Sequence, residues 1–281
     1  MLPVIDTHQH LWDLSRFRLP WLDSEPALAR SYLMEEYLQE SAGLQVVRTV
    51  YMEVDVEPSQ HVAEAEYVIA LCERADNPMA GAVIGGRPAA ADFAAYLDRF
   101  RGVPYIKGVR QVLHGSTPAG YCLTPEFVRG LRLLGERGLC FDLCMRPEEL
   151  ADGARLIALC PETRFVLDHC GNAPMHTTDR AQWQRDIAAI ARQENVVCKI
   201  SGIVAQLPAG QWTPEDLAPV VQHCADVFGP DRILYASDWP VCTLSATFRE
   251  WLYALQTIVA EWPEENQRKL FHDNAARFYA L

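Results

Sequence analysis

Short apolar runs rich in β-branched residues recur along the chain, and each is followed by a segment with helical spacing of its apolar residues. Runs of this length bounded by polar residues are typical of buried strands. The pattern predicts eight strands: Pro3–Asp6, Val46–Met52, Ala80–Ile84, Tyr105–Arg110, Leu139–Cys144, Arg164–Asp168, Val196–Ile200 and Ile233–Ala236. A strand followed by a helix, repeated eight times, indicates a parallel sheet.

The segments between the predicted strands carry helix signals. Ser31–Ala42 and His61–Ala75 have apolar residues at helical spacing. Thr124-Pro125-Glu126 and Thr213-Pro214-Glu215 each combine a capping residue, a proline and an acid, which is typical of a helix start. The residues after Glu264 predict an extra C-terminal helix.

Eight strand–helix units that close on themselves form a (β/α)8 TIM barrel, and 281 residues suit one such α/β domain over residues 1–281. The alternative is an open doubly wound sheet. The sequence has no Gly-x-Gly-x-x-Gly after a strand, so the dinucleotide-binding version of that sheet lacks support. We expect the irregular segments 13–29, 115–122 and 171–179 to be loops that determine specificity.

The composition and net charge of the chain bear on whether it binds nucleic acid, a membrane or a small molecule. The net charge of −12 argues against nucleic acid, which requires basic patches. No run approaches the roughly 18 apolar residues of a membrane span, and the first residues predict a strand rather than a signal peptide. Nine scattered cysteines without a C-x-x-C pair indicate reduced, buried thiols. We therefore expect a cytoplasmic protein with a small-molecule substrate, and a homo-oligomer is possible.

Polar residues stand at nearly every predicted strand end, where barrel enzymes carry their chemistry. His8 and His10 follow the first strand at positions i and i+2, so they project to the same side while the chain stays extended. Burying an isolated charge costs free energy, so this many polar strand ends predict that the side chains share one polar cavity. The other strand-end groups are Glu53, Arg110, His114, Asp142, His169, Ser201, Asp238 and Trp239.

The set resembles the amidohydrolase superfamily, and within it the amidohydrolase-2 or fuconolactonase-like lactonases. The matching pieces are Asp-Thr-His-Gln-His at residues 6–10, Lys-Gly-Val-Arg at 107–110, Leu-Asp-His at 167–169 and Ser-Asp-Trp-Pro at 237–240. The resemblance implies a (β/α)8 barrel in which Asp238 activates a water. It also implies that the histidines of strands one and six bind a metal or the scissile carbonyl.

The cofactor expectation is no metal or one divalent ion, with zinc favoured. His8, His10 and Asp238 would hold the ion, with His169 or Glu53 as a candidate additional ligand. The fifth strand lacks a histidine, which departs from the two-metal members of the superfamily. Lys107 could bridge two metals as a carbamate, but the histidine partners for that arrangement are missing.

The remaining candidates bind substrate. Arg110 has a planar fork that suits a carboxylate, and His114 could assist it; Glu53, Trp239 and Lys107 complete the predicted set. Because Asp168 precedes His169, we expect it to point the other way, in a structural hydrogen bond. Ser201 has no histidine next to it in sequence, which disfavours a serine nucleophile.

Three functions fit these residues. The first is hydrolysis of a small lactone by a water that Asp238 deprotonates, with His8, His10 and His169 polarising the carbonyl. The second is metal-dependent decarboxylation of an aromatic or enoic acid on the same fold. The third is a binding protein without catalysis, which the joint presence of His8, His10 and Asp238 disfavours.

Overall fold

The computed structural model describes residues 2–281, and its eight strands form one parallel sheet in the order of the sequence. Each strand pairs with the next along the chain, from β1–β2 to β7–β8. The strands are β1 (Val4–Gln9), β2 (Val46–Met52), β3 (Met79–Gly85), β4 (Ile106–Leu113), β5 (Cys140–Met145), β6 (Arg164–Leu167), β7 (Val196–Ile200) and β8 (Ile233–Tyr235).

Helices connect the strands on the outside of the sheet. They are α1 (Met34–Glu40), α2 (His61–Cys72), α3 (Phe93–Asp98), α4 (Pro125–Glu136), α5 (Leu150–Leu159), the short kinked α6 (His169–Asn172), α7 (Ala181–Ala191), α8 (Pro214–Phe228), α9 (Phe248–Ile258), α10 (Glu264–Arg268) and α11 (Asn274–Tyr279). A π-helical turn, Lys269–Asp273, joins the last two. The predicted barrel and its C-terminal helical segment are confirmed.

The C-terminal helix covers the end of the barrel at which the strands begin. Ala275 and Tyr279 pack on a separate apolar cluster formed by side chains of the strands. The Asn274 amide donates to the carbonyl oxygens of Pro230 and Ile233, at the start of β8. With this end covered, the opposite end is the one available for a site.

Predicted and observed element ends differ where polar residues continue a strand. β1 extends to Gln9, past the predicted end at Asp6, and includes His8. β4 extends to Leu113 rather than Arg110. The extra residues of β1 are buried, and in β4 Gln111 and Leu113 are buried while Val112 is half-buried.

All nine cysteines are free and buried, as predicted. None of the helices formed by residues 2–281 has the length and apolarity needed to cross a membrane.

A buried aspartate holds the first and last strands together. Between β8 and β1 the ladder is reduced to one bridge, between Gln9 and Trp239. Asp6 spans this seam: its carboxylate accepts from the Ser237 N–H (2.8 Å), the Ser237 hydroxyl (2.6 Å) and the Tyr37 hydroxyl (2.8 Å). The seam is therefore closed by side-chain hydrogen bonds as well as by backbone pairing.

We predict that Asp6→Ala destabilises the protein by about 3–5 kcal/mol, since each buried donor left unpaired costs about 1–3 kcal/mol. Urea unfolding followed by circular dichroism measures the change. The control is Asp226→Ala at an exposed carboxylate, which should change stability by less than about 0.5 kcal/mol. An equally small loss of stability for Asp6→Ala would contradict the claim that Asp6 holds the first and last strands together.

Candidate active site

A cavity of about 1250 Å³ opens at the ends of the barrel strands. His10, Arg110, His169 and Asp238 line it. The three segments predicted to set specificity also contribute to its wall: Pro20 and Trp21 from the first, Gly115–Pro118 and Tyr121 from the second, and Asn172, Pro174, His176 and Thr177 from the third. The cavity is therefore built from strand ends and the loops that follow them, which is where (β/α)8 barrel enzymes carry their active sites.

Four predicted residues meet at one point, and three of them, His10, His169 and Asp238, line this cavity. The Nε2 atoms of His8 and His10 lie 3.1 Å apart. The Asp238 Oδ1 atom lies 3.6 Å from His8 Nε2, 3.4 Å from His10 Nε2 and 4.0 Å from His169 Nε2. The sequence prediction that strands one, six and eight bring these side chains together agrees with the geometry.

Left-handed backbone at two strand ends positions two of these side chains. Asp238 has φ +58° and His169 has φ +54°. Residues other than glycine pay a conformational cost there, and such strain concentrates at functional sites. The Asp238 N–H donates to the His8 carbonyl oxygen (3.0 Å), which fixes the turn after β8 against β1.

The two strand-one histidines are held neutral. Burial lowers the pKa of His10 to about 3 and lowers the pKa of His8 well below its ordinary value. His10 Nδ1 lies 3.0 Å from the Met52 carbonyl oxygen, a group that only accepts, so His10 carries its hydrogen on Nδ1. Its Nε2 lone pair consequently faces His8 and Asp238.

The donor set fits one divalent metal ion. Zinc bonds nitrogen and oxygen at about 2.0–2.2 Å, so the ligands of a tetrahedral ion lie roughly 3.3–3.5 Å apart. The separations among His8, His10 and Asp238 are 3.1–3.6 Å. Three protein ligands and one open position are typical of a catalytic zinc site. A second set, His8, Asp168 and His169, shares His8 with the first.

Burial raises the pKa of Asp238, while the nearby His169 and Arg110 oppose that rise. A carboxylate with a raised pKa accepts a proton more readily, which suits a general base.

Asp168 lies inside the site, so the expectation that it points away is wrong. Its Oδ1 is 3.4 Å from His8 Nδ1 and its Oδ2 is 3.5 Å from an Arg110 nitrogen. The alternation argument fails because β6 ends at Leu167 and the next residues leave the extended conformation.

Arg110 lines the cavity, but two of its three side-chain nitrogens donate hydrogen bonds to Glu53. Nε donates to the Glu53 carboxylate (2.6 Å) and one terminal nitrogen donates to the Glu53 carbonyl oxygen (2.7 Å). Burial alone would lower the pKa of Arg110, but the Glu53 carboxylate outweighs it and raises that pKa. The other terminal nitrogen lies 3.4 Å from His8 Nε2, at the convergence point.

Three of the predicted substrate-binding residues lie elsewhere. Glu53 is fully buried against Arg110 and does not line the cavity. Trp239 packs on the rings of Tyr32 and Tyr37 behind the cavity wall. Lys107 is the second residue of β4, at the opposite end of the barrel, where its ammonium donates to the Ala280 carbonyl oxygen.

His114 lines the cavity wall, in agreement with the prediction. Burial, together with Arg110, lowers the pKa of His114. Two arginines that sequence reasoning did not single out also face the cavity, Arg87 and Arg146. Both are paired with acids, Arg87 with Asp55 (3.1 Å) and Arg146 with Glu149 (2.6 Å).

Two further residues near the site were not assigned from the sequence. Ser201 does have a histidine neighbour: its hydroxyl lies 2.9 Å from His169 Nδ1. Ser201 is buried and outside the cavity lining, so it orients His169 rather than meeting a substrate. Lys199 is fully buried against Asp142 and Asp168. A lysine within the apolar strand Val196–Ile200 is a signal the sequence does offer.

A (β/α)8 barrel that gathers three histidines and an aspartate in a strand-end cavity has the architecture of a barrel enzyme. The sequence pattern of the amidohydrolase family, Amidohydro_2, matches residues 5–281. The chain belongs to the amidohydrolase family, as the resemblance predicted.

Three known proteins illustrate the relationship. An L-fucono-1,5-lactonase from Burkholderia multivorans is 27% identical, with 99% of this chain and 96% of that protein aligned. A 4-sulfomuconolactone hydrolase from Rhizobium radiobacter is 26% identical, over 84% of this chain and 75% of that protein. A crystal structure of a Burkholderia multivorans amidohydrolase with bound zinc has a TM-score of 0.88 at 25% identity, covering 99% of both chains.

We predict that Glu53→Gln lowers the free energy of unfolding by about 2–4 kcal/mol, because breaking a buried ion pair leaves the other charge uncompensated. Glu57→Gln, at an exposed glutamate four residues away, is the matched control. Chemical denaturation of both variants provides the comparison. If the two variants were equally stable, Glu53 would not be the residue that holds Arg110.

Proposed function

We propose that this amidohydrolase opens a small lactone by adding water to its carbonyl carbon. The observation that carries the proposal is the Asp238 carboxylate, which lies within 4.0 Å of three imidazole nitrogens in a strand-end cavity. The lactone class is supported by the two relatives, whose own names state lactone hydrolysis. Lactones are activated esters, so one base and one group that polarises the carbonyl are enough for the reaction.

Asp238 serves as the general base. It takes a proton from a water in the cavity, and the water oxygen bonds to the lactone carbonyl carbon. The ring carbon–oxygen bond then breaks, and Asp238 returns its proton to the departing oxygen. The product is an open-chain hydroxy acid. The buried position of Asp238 suits both transfers, because burial raises its pKa.

The oxyanion that forms on the carbonyl oxygen is stabilised by donors near Asp238. His169 is held by Ser201 at Nδ1 and presents Nε2 to the cavity. The Arg110 terminal nitrogen that lies 3.4 Å from His8 Nε2 is a second donor there; the same nitrogen lies 3.5 Å from Asp168 Oδ2. Donors that are already in place when charge develops contribute strongly to the rate.

His8, His10 and Asp238 would hold a zinc ion, which when bound supplies Lewis-acid polarisation at the open position. The zinc in a related crystal structure supports this assignment. His10 would serve through Nε2, since its Nδ1 hydrogen is committed to the Met52 carbonyl oxygen.

The substrate is a lactone with hydroxyl or carboxylate groups. His114 on the cavity wall and the Arg110 terminal nitrogen beside His8 are donors that such groups require. Arg87 and Arg146 also line the cavity, each paired with an acid at 2.6–3.1 Å, as Arg110 is with Glu53.

We predict that Asp238→Asn lowers kcat by about 10²–10⁴-fold, the usual effect of removing one positioned acid–base group. The assay screens sugar-acid and unsaturated carboxylated lactones with a pH indicator, since each turnover releases one proton. Asp226→Asn, at an exposed carboxylate, is the control.

Three outcomes of that screen would overturn the proposal. Carbon dioxide release from an aromatic or enoic acid would establish the decarboxylase. Tight binding of a lactone without turnover would establish a binding protein. Normal turnover by Asp238→Asn would remove the base from the mechanism.

We predict that the chelator-treated protein binds one equivalent of zinc, and that His10→Gln weakens this binding about 100-fold or more because one of three ligands is lost. Isothermal titration calorimetry gives both numbers. His114→Gln removes a cavity histidine outside the ligand set and should leave the zinc affinity unchanged. Two equivalents in the wild type, or none, would contradict the assignment.

A further inference from the structure

Residues 114–120 form a loop between β4 and a short helical turn, Tyr121–Leu123, and residues 114–118 of this loop line the cavity. Every residue of the 114–120 loop is exposed or half-buried, so no side chain of the loop is anchored in the core. Within the loop, the Thr117 N–H donates to the His114 carbonyl oxygen (3.2 Å). The conformation of this part of the cavity wall therefore depends on contacts with neighbouring segments.

Arg146, the first residue after β5, supplies such contacts. Its Nη2 atom donates to the carbonyl oxygens of Gly115 and Thr117, both at 2.8 Å. Its Nη1 atom donates to the Glu149 carboxylate (2.6 Å) and lies 3.4 Å from the Leu113 carbonyl oxygen. Both terminal nitrogens of the guanidinium are therefore directed at acceptors of the protein itself.

Glu149 extends the contact to the far end of the loop. Its Oε2 atom accepts from Arg146, and its Oε1 atom accepts from the Gly120 N–H (3.0 Å). Gly115 and Gly120 have φ +61° and +71°, so the chain turns at both points through left-handed backbone that favours glycine. The Arg146–Glu149 pair thus holds the loop at both turns and at Thr117 between them.

These main-chain contacts distinguish Arg146 from an ordinary surface ion pair. Arg155 and Asp152 are also three residues apart, at 2.9 Å, but they lie on the same helix and the Arg155 side chain is 71% exposed. Exposed pairs of that kind contribute little to stability. The Arg146 side chain is only 30% exposed, and its planar fork presents hydrogens on two nitrogens, whereas a lysine has one. Arg146 therefore connects the end of β5 to the loop that follows β4.

We propose that Arg146 is a positioning residue that determines substrate specificity: together with Glu149 it holds the main chain of the 114–120 loop so that His114 faces the cavity. The kinetic part of this inference rests on the proposed lactone hydrolysis, in which His114 binds a hydroxyl or carboxylate group of the substrate. The structural part, the order of the loop, does not.

Amide hydrogen exchange of the protein without substrate, read by mass spectrometry, gives the first test. We expect Arg146→Ala to speed exchange over residues 114–121 by about tenfold or more, because local hydrogen bonds are lost, and to leave β5 and α4 unchanged. Arg146→Lys keeps the charge beside Glu149 and should show the same local change. Arg155→Ala, which removes the exposed pair, is the matched control and should leave the loop unchanged.

Three results of the exchange experiment would overturn the proposal. They are unchanged exchange in the loop of Arg146→Ala, faster exchange spread evenly over the whole chain, and an equal change in Arg155→Ala. Should Arg146→Ala fail to fold, Arg146→Lys decides the question in the same way.

Steady-state kinetics with a lactone that the wild type hydrolyses gives the second test. We expect Arg146→Ala to raise KM by about fivefold or more, the effect of a lost hydrogen bond to the substrate, and to change kcat by less than about threefold, since binding is lost equally in ground and transition states. Unchanged KM overturns the proposal. A raised KM with unchanged loop exchange would make Arg146 a substrate-binding residue and would overturn it as well.

A double-mutant cycle identifies the group through which Arg146 acts. In a His114→Gln background, Arg146→Ala should raise KM by less than about twofold further, because both substitutions remove the same contact. The full increase in that background would show that Arg146 does not act through His114, which overturns the proposal. If no lactone is hydrolysed, the proposed function fails, while amide exchange still decides whether Arg146 orders the loop.

Discussion

The site depends on one buried chain of alternating charges. Glu53, Arg110, Asp168, Lys199 and Asp142 follow one another, with contacts of 2.6, 3.5, 3.2 and 2.5 Å. They come from the end of β2, from β4, from the end of β6, from β7 and from β5. A buried charge is tolerated only when it is paired, so each member requires its neighbours. The chain therefore fixes five barrel segments relative to one another at the level of the active site.

Asp168 is the centre of that chain and its link to the chemistry. It lies between two cations, and His8 lies beside it at 3.4 Å. Burial would raise the pKa of Asp168, but Lys199 and His8 outweigh burial and lower that pKa well below its ordinary value. The fully buried Asp168 carboxylate consequently remains charged. His8 is thus surrounded by charged groups of the barrel interior, while the loops line the cavity.

Much of the fold could be predicted from the sequence, because apolar periodicity reports burial locally. All eight strands were predicted in order. The ends of β1 and β4 were not, since the polar residues His8 and Gln111 are buried and continue their strands. The convergence of His8, His10, His169 and Asp238 was predictable, because parallel strand ends meet at one rim.

The remaining assignments required distances between segments far apart in the chain. Glu53 lies on Arg110 across 57 residues, and Lys199 lies on Asp142 across the same separation. No local pattern reports such a pair. Strand alternation misplaced Asp168, which follows the last residue of its strand. Lys107 was misplaced because its motif, Lys-Gly-Val-Arg, spans β4 from the covered end of the barrel to the open one.

The central claim is that this cavity adds water to a lactone carbonyl. It is tested most directly by hydrolysis of a lactone substrate in water enriched in oxygen-18, with the mass of the product and the position of the label determined by mass spectrometry. The account predicts a hydroxy acid that carries one oxygen-18 atom, located in the carboxylate, because the ring oxygen stays with the alcohol. A product with the label in the alcohol, or loss of carbon dioxide, would contradict it.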